Sequence, residues 1–423
     1  MEQLVRKRIL VSAYACLPDA GSEPGMGWNW VSRLAQYHDI WLLTEDNRYA
    51  PVINAYIDAH PELQGHLHVV GIPRERYGEN IWSHLYYWSY RKWQKLAFQK
   101  AQELHNTIHF DLVHQLNMIG YREPGFLWQL PIPFVWGPVG GHAQMPWAYL
   151  PSLGYKGAIH YGLRNIINAL QMRSMPRVKK AAKAAKVLLV ATHDDQIGIK
   201  KHQKLDSILV NELGTDPSII NTIQITQNKS VDGRIRIVWC GLFLARKGLN
   251  LGLYAIKKAS EYVNLELHII GSGPCDKEWR KLAKKLEINH LCNWHGNVEH
   301  QKVLQIMGNS DVFLCTSVQD ATSTVVTEAI QMGLPVICHD MCGFGACIDE
   351  TSGIKIEPYS PARSIEGFAQ AIQYLADNPE KLAKLKSGAK QRALELSWQS
   401  KVDLMLDCYQ RALLGDKKIN YVK

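Results

Sequence analysis

The run Arg236-Ile237-Val238-Trp239-Cys240 is followed by Gly241-Leu242-Phe243-Leu244-Ala245-Arg246-Lys247-Gly248, a helical pattern over residues 249–260, and Leu265-Glu266-Leu267-His268-Ile269-Ile270. A short apolar run, a glycine-bounded turn, a helix and a second apolar run make one βαβ unit, the building block of a parallel sheet. The rhythm continues through a helix over 277–286 and strands at Val312-Phe313-Leu314 and Pro335-Val336-Ile337-Cys338. It also runs through the first half. Strands are expected at Ile9-Leu10-Val11-Ser12-Ala13, Ile40-Trp41-Leu42-Leu43, His68-Val69-Val70, Leu112-Val113-His114, Pro133-Phe134-Val135-Trp136 and Val187-Leu188-Leu189-Val190, with a helix over 27–36. Between the halves, residues 211–230 are polar, contain Gly214, Asp216 and Pro217, and read as a hinge. The expectation is an α/β protein of two doubly wound domains, whose ligands sit in the loops at the carboxyl ends of the strands.

With 46% hydrophobic and 21% charged residues, the 423-residue chain has ample apolar surface to bury, which excludes a disordered class. A net charge of +9 favours an anionic partner without choosing among nucleic acid, membrane and phosphorylated substrate. The nine cysteines read as reduced buried thiols, because a chain of this length needs no disulfide staples. Cys338, Cys342 and Cys347 cluster but lack paired C-x2-C spacing, so no metal site is expected. No apolar run reaches spanning length. Arg6-Lys7-Arg8 before residues 9–17 resemble a very short signal peptide, but a first buried strand entering a glycine-rich loop fits better.

Three loops carry the chemistry. Gly21-Ser22-Glu23-Pro24-Gly25-Met26-Gly27-Trp28 follows the first strand, and Gly25 and Gly27 would let backbone amides approach an anion at a helix start. A merely tight turn explains this loop equally well, and neither a G-x-G-x-x-G nor a G-x4-G-K-[ST] string occurs. Arg246 and Lys247 beside Gly248 suit a diphosphate, with a solvated basic turn as the alternative. Gly271-Ser272-Gly273-Pro274 follows the next strand. Most informative is Asp320-Ala321-Thr322-Ser323-Thr324-Val325-Val326-Thr327-Glu328-Ala329-Ile330, followed by Gly333-Leu334-Pro335-Val336-Ile337. Here Asp320 lies in a loop, Glu328 about a turn inside the next helix, and the amides of Ser323 and Thr324 face a phosphate.

The ordered set of G-x5-K-G at Gly241, Lys247 and Gly248, Gly271-Ser272-Gly273-Pro274, and the acidic-x7-Glu element with Gly-x-Pro-Val-Ile resembles the nucleotide-sugar domain of retaining family 4 glycosyltransferases. The amino-terminal loop and Asn211-Glu212-Leu213-Gly214-Thr215-Asp216 extend the resemblance to most of the chain. It implies a GT-B fold, two Rossmann-like doubly wound domains facing each other across a cleft. Residues 1–212 would bind the acceptor and 213–395 the nucleotide sugar, and a helix in 396–423 would pack back on the first domain.

By the same resemblance, Glu328 would hold the donor ribose, Asp320 a hydroxyl of the donor sugar, and Lys247 the diphosphate, aided by amides at Ser323, Thr324 and the Gly25–Gly27 loop. Asn293-Trp294-His295-Gly296-Asn297 would line the base pocket. Three positions depart from the family pattern. Leu242 stands where an Arg is common, with Arg246 as the substitute charge; Asp320 stands for a Glu; and the family's amino-domain His has only His114 or His142 as counterparts, either of which could equally be structural.

The resemblance implies retaining transfer to a glycan or lipid-linked acceptor, in bacterial surface-polysaccharide assembly, with no cofactor and no essential metal. A front-face reaction follows, since no side-chain nucleophile is obvious. A GT-B-like nucleotide-sugar epimerase or hydrolase is the enzymatic alternative. Nucleic acid is not an expected partner, although Tyr86, Tyr87, Trp88, Tyr90, Arg91, Lys92 and Trp93 in the segment 82–95 superficially suit one.

The positive charge is local. Between Pro124 and His193 there is no Asp or Glu, and Lys156, Arg164, Arg173, Arg177, Lys179, Lys180, Lys183 and Lys186 give +8. On a helix over 176–186, Val178, Ala181, Ala182 and Ala185 share one side and Arg177, Lys179, Lys180, Lys183 and Lys186 the other. That basic side is a solvated face or, with Arg173, a docking face for an anionic membrane, which would make the protein cytoplasmic and peripheral on the inner face of the plasma membrane.

Overall fold

Strands that are apolar on both sides need both faces of a sheet covered, and helices alternate with the strands to cover them. The computed structural model describes residues 5–75, 84–217, 219 and 233–415. In the first part of the chain, strands β1 (Arg8–Ala13), β2 (Asp39–Glu45), β3 (Leu67–Ile72), β4 (Leu112–Asn117), β5 (Phe134–Val139), β6 (Val187–Val190) and β7 (Ile208–Leu209) form a sheet in the order β3-β2-β1-β4-β5-β6-β7. In the second, β8 (Ile235–Cys240), β9 (Leu265–Ile270), β10 (Cys292–Gly296), β11 (Val312–Cys315), β12 (Val336–His339) and β13 (Gly353–Ile356) run β10-β9-β8-β11-β12-β13. Every pairing is parallel; Val11 lies opposite both Leu42 and His114, and Val238 opposite both His268 and Phe313.

The helices of the first part are α1 (Ser22–Leu34), α2 (Ala50–Ala59), α3 (His84–Ile108), α4 (Gly154–Ser174), α5 (Pro176–Ala184) and α6 (His193–Gln203). Those of the second are α7 (Leu249–Ala259), α8 (Asp276–Lys285), α9 (His300–Gly308), α10 (Thr324–Gln331), α11 (Cys342–Cys347), α12 (Pro361–Asp377), α13 (Pro379–Glu395) and α14 (Trp398–Leu414).

Strand order reverses direction between β1 and β4, and again between β8 and β11. Loops diverge at such a switch and leave a crevice at the carboxyl ends of the strands. The loops after β1, β4, β8 and β11 therefore bound the cleft. The last helix, α14, belongs to the first core: Trp398 packs edge-on against Trp30 at 5.6 Å, and Val402, Met405, Cys408 and Tyr409 are buried with that sheet. Its start is tied to the earlier crossing by paired backbone bonds between Thr215 and Leu396 and between Trp398 and Thr215, each 3.0 Å. Both strands of connecting chain thus cross side by side. Of the expected hinge, residue 218 and residues 220–232 lie outside the described residues, as do 416–423 of the expected terminal helix.

Two expectations change. Helix α1 starts at Ser22, so Gly25 and Gly27 lie inside it rather than in a loop. Their role is close packing: a Cβ on Gly25 would stand 1.8 Å from the Ala20 carbonyl oxygen, and one on Gly27 2.4 Å from that of Ala15. Arg177 does not share the free basic side of α5 but turns inward to pair with Glu123, which also pairs with Arg91. In the aromatic segment Tyr86, Tyr90 and Trp93 are buried and Tyr87 and Trp88 exposed, while Trp82 lies outside the described residues.

Candidate functional site

The loop after β8 and the loop after β11 are bonded together before either meets a ligand. Val318 N–H donates to the Arg246 carbonyl at 2.9 Å, and the Thr316 hydroxyl donates to that of Lys247 at 3.0 Å. This brings both cations of the first loop onto the carboxylate of the second. The Lys247 ammonium pairs with Asp320 Oδ2, and Arg246 Nη1 lies 3.2 Å from Oδ1 while donating to the Gln319 carbonyl at 2.9 Å. Lys247 and Asp320 are 13% and 14% exposed, so the pair faces the cleft rather than bulk water.

Ser323 is the N-cap of α10 and Thr324 its first residue, so their amides stand at the positive end of that helix dipole. The Ser323 hydroxyl is buried there with no hydrogen-bond partner among the described residues, and Thr322 bonds Glu212. Glu328 projects from the second turn of α10 and accepts from His300 Nε2 at 2.9 Å. That bond holds the His300 imidazole above its ordinary pKa. Gly273 has φ +154°, and a Cβ there would lie 2.9 Å from both the amide nitrogen and the carbonyl oxygen of Phe243, so only glycine lets these two loops touch. Trp294, on edge strand β10, packs edge-on to Phe243 at 6.0 Å under the Arg280 guanidinium at 4.5 Å, and its indole N–H is buried with no hydrogen-bond partner among the described residues.

The opposite wall carries residues that no local pattern flagged. Glu23 accepts from the Ile119 amide at 2.8 Å, and burial pushes its carboxyl up to about 7. Glu212 sits beside Thr322; burial, reinforced by Glu23, raises it to about 8. Arg164 of α4 reaches across to Gln319 Oε1 at 2.8 Å. The Tyr149 and Ser364 hydroxyls meet at 2.6 Å, and the Cys342 amide donates to Asp194 Oδ2 at 3.2 Å, which fixes the two halves against each other beside the cleft.

Neither candidate histidine opens into that cleft. His114 donates from Nε2 to the Gly137 carbonyl at 2.6 Å, its Nδ1 accepts from the Tyr409 hydroxyl at 2.7 Å, and burial lowers it to about 4. His142 is 2% exposed, bonds Asp195 Oδ1 through Nδ1 at 3.0 Å, and stacks on Tyr121. Both are buried and held by side-chain hydrogen bonds. Cys338, Cys342 and Cys347 are buried, and among the described residues no cluster of His, Cys, Asp or Glu is arranged to hold a metal ion.

The structure thus brings Arg246, Lys247 and Asp320 into contact and sets Ser323, Thr324 and Glu328 on one helix end beside them. Residues 221–392 match the model of the family described as glycosyl transferases group 1. This part of the chain is similar to a group 1 glycosyltransferase domain. The matched stretch contains all of those residues, together with Gly273 and Trp294. Over 138 residues the chain is 28% identical to D-inositol 3-phosphate glycosyltransferase 1 of Catenulispora acidiphila, covering 32% of each protein. It is 24% identical over 162 residues to alpha-D-kanosaminyltransferase of Streptomyces kanamyceticus, covering 37% of this chain and 40% of that one. The match spans well under half the length of these curated relatives.

Whole-chain likeness comes from structure. Sucrose-phosphate synthase of Thermosynechococcus elongatus superposes with a TM-score of 0.65 at 15% identity, over 97% of this chain and 100% of that one. A glycosyltransferase of Rickettsia africae gives 0.63 at 14%, over 97% and 99%. HepE of Anabaena, solved in complex with UDP and glucose, gives 0.58 at 15%, over 96% and 100%. The two parallel-sheet domains across a cleft are the GT-B fold.

Proposed function

We propose that the protein is a retaining glycosyltransferase that moves a sugar from a nucleotide-sugar donor to a glycan or lipid-linked acceptor, in bacterial surface-polysaccharide assembly on the inner face of the plasma membrane. The observation that carries the reading is the convergence of Arg246 and Lys247 on Asp320 beside the α10 amino terminus, at the strand-order switch of the second sheet. A diphosphate entering there meets two cations and two free helix-end amides, and Glu328 stands one turn further in to accept from ribose hydroxyls. Once Lys247 and Arg246 turn to the diphosphate, Asp320 is released to accept from a hydroxyl of the transferred sugar. The Trp294 region provides an aromatic wall for the base.

In the reaction, the bond from the anomeric carbon to the diphosphate oxygen breaks and the acceptor oxygen forms its bond to the same carbon on the same face. The acceptor proton passes to the departing phosphate oxygen. Lys247, Arg246 and the Ser323 and Thr324 amides stabilise the charge growing on that leaving group. These cations take the part a metal would otherwise fill, and we propose that no metal or other cofactor is needed.

The test is binding followed by transfer. Calorimetry against UDP-, GDP- and ADP-sugars selects the donor; UDP is the first to try, since HepE holds it on this fold. Incubation of that donor with glycan and lipid-linked acceptors, in chelator, then gives a product whose anomeric configuration NMR reports. Retention in the acceptor-dependent product is expected. Donor turnover that proceeds equally without acceptor would instead identify a hydrolase or epimerase.

A further inference from the structure

Helix α4 is amphipathic in the reverse of the ordinary sense. The residues it turns into the protein include Asn165 and Asn168, both buried, with Met172. Asn165 serves the backbone of Met145 through bonds of 2.7 and 3.0 Å, and Asn168 Oδ1 accepts from the Tyr121 hydroxyl at 2.7 Å. Most of the residues it turns outward are large and apolar: Tyr155 is 80% exposed, Leu163 56% and Leu170 60%, and Ile159, Ile166 and Ile167 are each about half exposed, with Lys156 and His160 also exposed near the start of the helix. At about 100° per residue these six fall within an arc of roughly 120°, opposite the buried asparagines. The stripe runs about 23 Å along the axis. A soluble surface helix has no use for such a face, and an apolar patch this continuous marks an interaction site.

The charge of the surrounding segment says what covers it. Residues 124–193 carry +8 and no acid. Arg173 stands exposed at the carboxyl end of α4, near His202 of α6. Lys179, Lys180, Lys183 and Lys186 follow, exposed, on α5 and just after it. Two copies meeting face to face through this stripe would set cation against cation, since a two-fold interface brings each patch onto itself. A bilayer with anionic headgroups meets both demands, accepting the apolar face among its acyl chains and the cations at its surface.

We infer that α4 lies in the surface of an anionic membrane, its Tyr155–Leu170 stripe inserted among the acyl chains and the lysines of α5 held at the headgroups. Arg164, on the flank of the same helix, reaches Gln319 beside the Asp320 loop. The membrane face and the cleft are therefore two sides of one helix, and an acceptor anchored in that membrane would be presented to the site without leaving it. The inference stands on the helix face alone, and its test reads lipid binding rather than transfer, so it can fail or succeed independently of the proposed reaction.

The full chain is sedimented with vesicles of phosphatidylcholine alone and of phosphatidylcholine with phosphatidylglycerol, alongside two variants: Ile159→Glu/Leu163→Glu/Leu170→Glu and Lys179→Glu/Lys180→Glu/Lys183→Glu. All six side chains are exposed, so both variants should keep the wild-type melting temperature. Expected is binding to the anionic vesicles only, reduced about tenfold or more in each variant. A dye on Leu163→Cys should shift to the blue on anionic vesicles, reporting entry into hydrocarbon. Binding unaffected by the apolar variant, or no dye shift, would overturn the insertion. A chain that ignores vesicles, whether it stays monomeric or forms a dimer that the apolar variant dissolves, would overturn the membrane as occupant.

Discussion

Lys247 and Asp320 neutralise each other across the two loops that close the carboxyl ends of β8 and β11. The pair is shielded, and Arg246 completes it from the same loop. A cation held this way is preorganised: it can exchange one anion for another at its position with little loss of conformational freedom. Lys247→Ala is expected to lower turnover about 10²–10³-fold in steady-state kinetics, as removal of one fixed donor to a developing anion does. Lys247→Arg should recover part of that loss. Near-normal turnover in the alanine variant would remove Lys247 from the reaction.

Glu328 has a rival for its ligand. His300 holds its carboxylate, and that hydrogen bond keeps the imidazole protonated to higher pH than usual. As pH falls, His300 gains its proton and the pair tightens, so ribose hydroxyls must displace a stronger partner. UDP affinity measured by calorimetry should therefore weaken as pH falls through the range, above the ordinary imidazole value, in which His300 takes up its proton. His300→Gln should flatten that dependence, whereas Glu328→Gln should weaken binding at every pH. A wild-type profile indifferent to pH would exclude the competition.

Much of the architecture is legible in the sequence because its central strands are apolar on both faces. β1, β2, β4 to β6, β8, β9, β11 and β12 stand out as short runs of Ile, Leu, Val, Phe and Trp. The strands that escape are edges. Cys292-Asn293-Trp294-His295-Gly296 of β10 and Gly353-Ile354-Lys355-Ile356 of β13 each have one neighbour and one solvated side, and β7 is two residues long. At the site, Lys247, Asp320 and Glu328 are visible through fixed local spacing. Glu23, Glu212, Arg164 and His300 are not, because they matter through contacts between segments far apart in the chain, such as Arg164 with Gln319. Gly25 and Gly27 read as loop residues in the sequence but lie inside α1, where the close approach of Ala20 and Ala15 backbone leaves no room for a Cβ. The exposed apolar face of α4 is not singled out by the sequence at all, because nothing in the spacing of its Ile and Leu residues says which side of the helix meets solvent.

Glu212 makes stability depend on pH in a defined direction. Its folded carboxyl titrates near 8, well above the ordinary glutamate value, chiefly through burial. Between those two values the folded protein holds a proton that the unfolded chain has released, so stability falls as pH rises. The buried His38, His114 and His339, each lowered to about 4, act oppositely, but only below about 6.5 where the unfolded imidazoles charge. The window to read is therefore about 6.5 to 8, where the folded protein gives up the proton of Glu23, near 7, and then that of Glu212, near 8. Melting temperatures of the wild type should fall across it, and Glu212→Gln should reduce the slope. A slope unchanged in that variant would place the titrating group elsewhere.

Gly25 tests whether close packing positions the site. Its Cα faces the Ala20 carbonyl so closely that a methyl would overlap the oxygen, and backbone cannot swing aside as a long side chain can. Gly25→Ala must push the first turn of α1 away from the preceding loop. That overpacking should cost about 1–3 kcal/mol, read as a lowered melting temperature of the first domain. Glu23 sits in the displaced turn, bonded to the Ile119 amide, so its place opposite Thr322 and Glu212 should be lost with it. Gly21→Ala is the control, because nothing lies within 4 Å of a Cβ there. If the two alanine variants melt alike, the contact between α1 and its preceding loop carries no strain and the glycine at 25 is free to serve a ligand.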